Sequence, residues 1–132
     1  MQRTAVSAMN LKLLTSEGDL VRFEAVGKIT RDCWGQHADP LSNLFGDGIY
    51  QHKCLISLSQ SLYIDSTGVE WLLTAHQRFQ REGGMLILHS ANPATRQLLR
   101  IMRMDLVLHI VATEREAVEL ATRQEKSNGN QH

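Results

Sequence analysis

Apolar and polar positions alternate through Leu11, Leu13 and Leu14, and again through Leu20, Val21, Phe23, Ala25 and Val26, on either side of Glu17, Gly18 and Asp19. Short runs of this kind around a turn-forming tripeptide predict a hairpin of two strands. The pattern weakens over residues 30–45, although Asp39 before Pro40 supplies a capping carboxylate ahead of a residue whose backbone is preset for a first turn, which predicts a helix from about Pro40. Gly46, Asp47 and Gly48 interrupt the chain, after which residues 53–58 (Lys, Cys, Leu, Ile, Ser, Leu) read as a strand.

From Gly68 onward the period changes. Val69, Leu72, Leu73, His76, Phe79 and Gln80 recur at three and four, which predicts a helix with a mostly apolar stripe that Gly83 can end. On that wheel Trp71 falls opposite the stripe, so it is expected partly exposed near the helix start. Met85, Leu86, Ile87 and Leu88 form an unbroken apolar run, as in a strand covered on both faces. Asn92 before Pro93 opens another helix with Leu98, Leu99, Ile101 and Met102 on its apolar side and Arg96, Arg100 and Arg103 on its solvated side. Residues 106–111 read as a last strand. Thr113 with Glu116 three residues on is a capping box, predicting a final helix to about Gln124. The reading is one domain over residues 1–124 and a polar, disordered tail over 125–132. A hairpin followed by strands alternating with helices implies an α/β domain, a small mixed sheet covered by about four helices.

Composition narrows the function classes. At 132 residues and 42% hydrophobic content the chain suits one domain with a real core. Fourteen basic residues balance 14 acidic ones, so no overall field draws nucleic acid or an anionic membrane. Two cysteines, Cys33 and Cys54, match no zinc spacing and make no disulfide framework, and both read as reduced. Neither a secretory signal nor an apolar stretch of the ~20 residues needed for a bilayer span is visible, which predicts a cytoplasmic protein. The six histidines lack paired helical spacing with a glutamate, and His76 reads as a satisfied interior side chain, so no metal and no cofactor are expected. No nucleotide loop or nucleophile elbow is present, and Ser66 beside Asp65 has no neighbouring base to activate it, so the chain reads as no enzyme.

The most informative stretch is Tyr63, Ile64, Asp65, Ser66, Thr67, Gly68 and Val69, where an apolar strand breaks into a helix start. In an open α/β sheet such a turn lies beyond the carboxyl end of a parallel strand, where sites collect. A phosphoryl group on Ser66 would find free amides and the positive end of the helix dipole, and would add about −1.5 to −2 charge beside Asp65. Gly68 presents no side chain to obstruct an approaching backbone. The competing reading is simple: serine, threonine and aspartate are the ordinary capping residues of a helix.

Residues 55–120 carry Ile64, Asp65, Ser66, Thr67 and Gly68, then Gly83 and Gly84 before a strand, then Asn92 and Pro93 opening a helix. This pattern resembles the STAS domain, the family of bacterial anti-sigma factor antagonists, also found as tails of sulfate transporters. Gly27, Lys28, Ile29 and Thr30 resemble the family's early strand end, so the likeness extends from about Val21 onward. It implies that Ser66 is phosphorylated by a partner serine kinase and restored by a phosphatase. The unmodified form would bind the anti-sigma kinase and release a sigma factor for transcription. Asp65, Thr67, Gly68, Glu70, Trp71 and Asn92 would belong to the partner surface of a monomer or weak dimer. The chain departs from the family at Ser57, where an acidic residue is common, at Lys28 and Thr30, where an acidic pair is frequent, and at Glu70 and Trp71, where small or aliphatic residues are usual. Two alternatives are an unphosphorylated accessory subunit docked on a transporter ATPase and a small-ligand sensor.

Overall fold

The computed structural model describes residues 10–29 and 39–129. Strand β1 (Asn10–Glu17) turns through Gly18 and Asp19 into β2 (Leu20–Ile29), the hairpin that the alternation predicts. Helix α1 (Pro40–Phe45) and a 3-10 turn (Asp47–Gln51) lead to β3 (Lys53–Ile64). Then follow α2 (Ser66–Glu82), β4 (Met85–His89), α3 (Pro93–Ile101), a second 3-10 turn (Met104–Leu106), β5 (His109–Val111) and α4 (Glu114–Gly129). The readings of Thr30 and Cys33 lie outside the described residues.

The sheet runs β1-β2-β3-β4-β5, with β1 antiparallel to β2 and every later pair parallel. Residues α1, α2 and α3 contribute from one face, meeting Val21, Phe23, Cys54, Ile56, Leu86 and Leu88 in the main core. Alternate strand residues turn the other way, and Leu55 and Ile87 pack with Ala117 and Ala121 of α4 in a smaller cluster. Two-sided burial is why Met85, Leu86, Ile87 and Leu88 carry no polar alternation.

Helix starts follow their local chemistry. The Asp39 carboxylate accepts from the Ser42 amide at 3.3 Å ahead of Pro40, and Asn92 Oδ1 accepts from the Thr95 amide at 2.8 Å ahead of Pro93. At α4 the Glu116 amide donates to Thr113 Oγ1 at 3.1 Å, while Glu116 Oε1 reaches back to the Ala112 amide at 3.0 Å. Helix α2 ends on Gly83 in the left-handed region, as its position predicts.

Three boundaries and one helix face differ from expectation. Strand β3 continues six residues beyond Leu58, because Gln60 and Ser61 are held by pairing with Val26 and Gly27 of β2 rather than by an apolar pattern of their own. Of residues 106–111 only His109–Val111 is strand: Met104–Leu106 forms the 3-10 turn, entered through Arg103 at φ 62. Helix α4 continues to Gly129 rather than ending near Gln124, its added residues including the helix formers Glu125 and Lys126. Ile101 is not on the apolar side of α3: it lies about 200° around the wheel from buried Leu99 and is 69% exposed.

Candidate functional site

At the carboxyl end of β3 the chain turns sharply into α2. Asp65 is the N-cap: its Oδ1 accepts from the Gly68 amide at 3.0 Å and from the Thr67 hydroxyl at 2.6 Å. The Thr67 hydroxyl bond, with the amides of Gly68 and Thr67 behind it, holds the Asp65 carboxyl below the usual carboxylate range. Capping is thus the work of Asp65, and the Thr67 hydroxyl is committed to it. Ser66 is the first residue of α2 and is exposed. The capping reading of the turn thus falls on Asp65, and Ser66 is left exposed beside it.

One turn on, Glu70 is exposed on the ridge that begins with Ser66, which Thr74 and Gln77 continue. Trp71 is half-buried and packs against the main core, so it is not opposite the buried stripe as expected. The buried side of α2 includes Gly68 and Ala75 as well as Val69, Leu72, His76 and Phe79, and these two small residues shift its centre toward Trp71. Gly68 is buried too. The backbone that approaches it belongs to the same chain: a Cβ there would meet the carbonyl oxygen of Ile29, lie 2.8 Å from that carbonyl carbon and 3.0 Å from Ile64 Cγ1. The space expected for a partner is taken by the end of β2.

Asn92 is likewise engaged within the fold. Its Oδ1 caps α3, and its Nδ2 donates to the Ser61 carbonyl at 3.2 Å, tying the start of α3 to β3. Tyr63 opens the same stretch, though the sequence assigns it no role. It stands 51% exposed two residues before Asp65, paired in register with exposed Lys28 of β2. The signal was available, since an aromatic next to inward Ile64 in a strand must face the other way.

Elsewhere, His76 is buried, its Nδ1 has no hydrogen-bond partner among the described residues, and its ring meets that of His109 edge-on at 5.5 Å. It is an interior side chain, though not a fully satisfied one. Burial, then the neighbouring His109, holds its pKa low, and burial does the same for His109. Among the described residues no group of three or more histidine, cysteine, aspartate or glutamate side chains is placed to hold a metal ion. Cys54 is a free thiol, fully buried, and burial pushes its pKa far above the ordinary value. No helix among the described residues is long and apolar enough to cross a membrane.

The model of the STAS domain matches residues 17–117, more than three-quarters of the chain and all of β2 through the start of α4. The chain belongs to the STAS domain family. Its fold is similar to solved structures throughout. One is a Thermotoga maritima protein proposed to be an anti-sigma factor antagonist, 20% identical, with a TM-score of 0.71 over 86% of this chain and 94% of that one. Another is an anti-sigma factor antagonist from Mycobacterium paratuberculosis, 17% identical, with a TM-score of 0.67 over 91% of this chain and 99% of that one. A third is the anti-sigma factor antagonist SpoIIAA in its unphosphorylated form, 19% identical, with a TM-score of 0.60 over 83% and 96%. No curated relative matches the sequence. At these identities the likeness of the solved structures is one of fold, and the STAS turn between β3 and α2 is where Asp65 and Ser66 sit.

Proposed function

We propose that this STAS domain is a regulatory binding protein of the anti-sigma factor antagonist kind, switched by phosphorylation of Ser66 by a partner serine kinase and reset by a phosphatase. The observation that carries the reading is the division of labour at the turn. Asp65 caps α2 and engages the Thr67 hydroxyl, while Ser66 stands exposed on the first turn. A kinase can reach that oxygen without unwinding the helix.

The consequence of modification is electrostatic. Asp65 is held ionised on one side of Ser66 and Glu70 is exposed one helical turn away. A phosphoryl group adds about −1.5 to −2 charge between them. An unmodified surface of mixed character becomes an acidic one, and a partner matched to the first is repelled by the second. The domain acts by binding, with no catalytic step: nothing at the turn supplies a base to Ser66. Tyr63, Glu70 and the exposed edge of Trp71 frame the contact surface. Asn92 ties α3 to β3 at Ser61, upstream of it.

The test is intact-mass analysis of the protein from its native cells under phosphatase inhibition, with fragmentation to place any added phosphoryl group. Phosphate on Ser66 that varies with growth or stress supports the switch. Unmodified Ser66 under all conditions, with partner binding unaffected by Ser66→Ala, rejects it.

A further inference from the structure

The corner between α3 and β5 is built unlike the rest of the surface. Ile101, Leu106 and Val107 lie within seven residues of chain and are 69%, 76% and 44% exposed. The adjoining side of α3 carries Arg96 and Arg100, which border an open groove of about 450 Å³ with Pro93, Gln97 and Ile101, and Arg103 follows at the turn. All three arginines are exposed, and none has a carboxylate within ion-pair distance among the described residues. Asp105 is the only acidic residue between Pro93 and Ala112. The 3-10 turn that presents Leu106 and Val107 is fixed by backbone bonds from the Leu106 amide to the Arg103 carbonyl and from the Val107 amide to the Met104 carbonyl. The apolar side chains are thus held outward on an ordered corner.

We infer that this corner is a second docking surface, for an acidic amphipathic segment of another protein, separate from the Ser66 face. Leucine-like side chains of the segment cover Ile101, Leu106 and Val107, and its carboxylates meet Arg96, Arg100 and Arg103. Bidentate pairing with carboxylates is what unpaired guanidinium groups at the rim of an apolar patch are suited to. A second copy of this chain fits poorly, because a two-fold contact sets the same three arginines against each other. A lipid surface fits less well than a peptide, since three aliphatic side chains give little depth of insertion and Asp105 faces the anionic headgroups.

Position gives the surface its use. Asn92, at the start of α3, touches β3 at Ser61, five residues before Ser66. The corner is at the other end of this nine-residue helix, about 13 Å along it at ~1.5 Å per residue. A partner held there leaves Ser66 accessible, so the domain can stay tethered while the first partner comes and goes.

The experiment uses the full chain and a fluorescent synthetic helix with leucine along one face and glutamate on its flanks, beside a twin with lysine in place of glutamate. The glutamate peptide is expected to bind and the lysine twin not to. Affinity should fall at least about tenfold in Ile101→Ser/Leu106→Ser and in Arg96→Glu/Arg100→Glu, and should weaken with added salt. The charge-reversed variant should in turn gain affinity for the lysine twin. All four substitutions are at exposed positions, and unchanged thermal melts confirm folding. Equal binding of the two peptides, or affinity unmoved by either variant, overturns the proposal. So does tighter binding to vesicles of equimolar phosphatidylcholine and phosphatidylglycerol than to the glutamate peptide, or a dimer that Ile101→Ser abolishes.

Discussion

The carbonyl group of Ile29 occupies the space beside Gly68 in which a side chain would begin. The last residue of β2 and the third residue of α2 are therefore packed backbone against backbone, with Ile64 Cγ1 closing the third side at 3.0 Å from a would-be Cβ. The glycine of the family's turn is here a packing residue of the domain itself.

Gly68→Ala must displace β2 or α2, since none of the atoms it meets first is the end of a flexible side chain. We expect a loss of about 3 kcal/mol, as for overpacking against backbone, and a fall in Tm of about 10 °C. Thermal denaturation followed by circular dichroism checks it. A stable Gly68→Ala protein with an altered partner affinity would mean that the glycine faces outward after all.

At Asp65 the acceptor and the charge can be separated. Asp65→Asn keeps an oxygen for the Gly68 amide and the Thr67 hydroxyl and should cost only a few tenths of a kcal/mol, whereas Asp65→Ala loses the cap and should cost about 1 kcal/mol. The carboxyl pKa is depressed in the folded state, so its stabilising contribution is present above pH 3.8 and is lost as pH falls below that value. A carboxyl titration by NMR with a midpoint at or above 3.8 contradicts this geometry.

Ser66→Ala removes an exposed hydroxyl that does not cap its helix. Its effect on stability should stay within about 0.5 kcal/mol, while regulated partner binding is lost. Ser66→Asp, measured by titration calorimetry against the native partner, should weaken binding at least about tenfold, because the added charge joins Asp65 and Glu70 in an acidic cluster that a partner matched to the unmodified surface does not complement.

Tyr50 anchors the start of α1 to α2. Its hydroxyl reaches the two carboxylate oxygens of Asp39 at 2.9 and 2.8 Å, Arg78 meets the same carboxylate at 3.3 Å, and the guanidinium lies 4.1 Å from the centre of the Tyr50 ring. Tyr50→Phe should cost about 1–2 kcal/mol, because the part-buried carboxylate loses a donor. Arg78→Ala, at a more exposed group, should cost less, about 0.5–1 kcal/mol. Urea denaturation of the two variants orders them.

Burial lowers the pKa of His76, His89 and His109 from about 6.5. The unfolded chain then takes up protons at a higher pH than the folded one, so stability is full above pH 6.5 and declines as pH falls from there toward the depressed folded values. Tm measured from pH 7.5 downward should drop through this window, well before the carboxylates titrate. The slope should shrink in His109→Gln, which also relieves His76 of a like charge. A flat profile between pH 7 and 5 contradicts the buried, neutral histidines.

Much of this was legible because helix caps are local. Asp39, Asn92 and Thr113 each act within three or four residues of themselves and start their helices as the sequence predicts, and Asp65 takes the cap that the sequence leaves open among Asp65, Ser66 and Thr67. The unbroken apolar run of β4 was equally plain. What the pattern could not show was which distant backbone would fill the space at Gly68, because that depends on the pairing of β2 with β3. Trp71 was misplaced for a related reason: small residues carry little hydrophobic weight on a wheel, yet Gly68 and Ala75 are where the helix comes closest to the sheet. Ile101 was assigned inward on its apolarity alone, when its angle from Leu99 sets it on the opposite side. The unpaired arginines of α3 were visible as a solvated face, but the exposed Leu106 and Val107 beside them were hidden in what read as a strand.

The strand order of the sheet is also the order of synthesis. Each strand after the first docks beside the one made just before it, and no later segment has to be inserted between two earlier ones. A nascent chain can therefore grow the sheet from one edge, and the Ser66 turn acquires its supports from β2, β3 and α2 before β4 exists. The face that carries Leu55 and Ile87 must wait longer, since α4, which follows β5 in the chain, is what covers it. Until α4 has emerged and docked, that aliphatic strip stays open to chaperones and to misassociation.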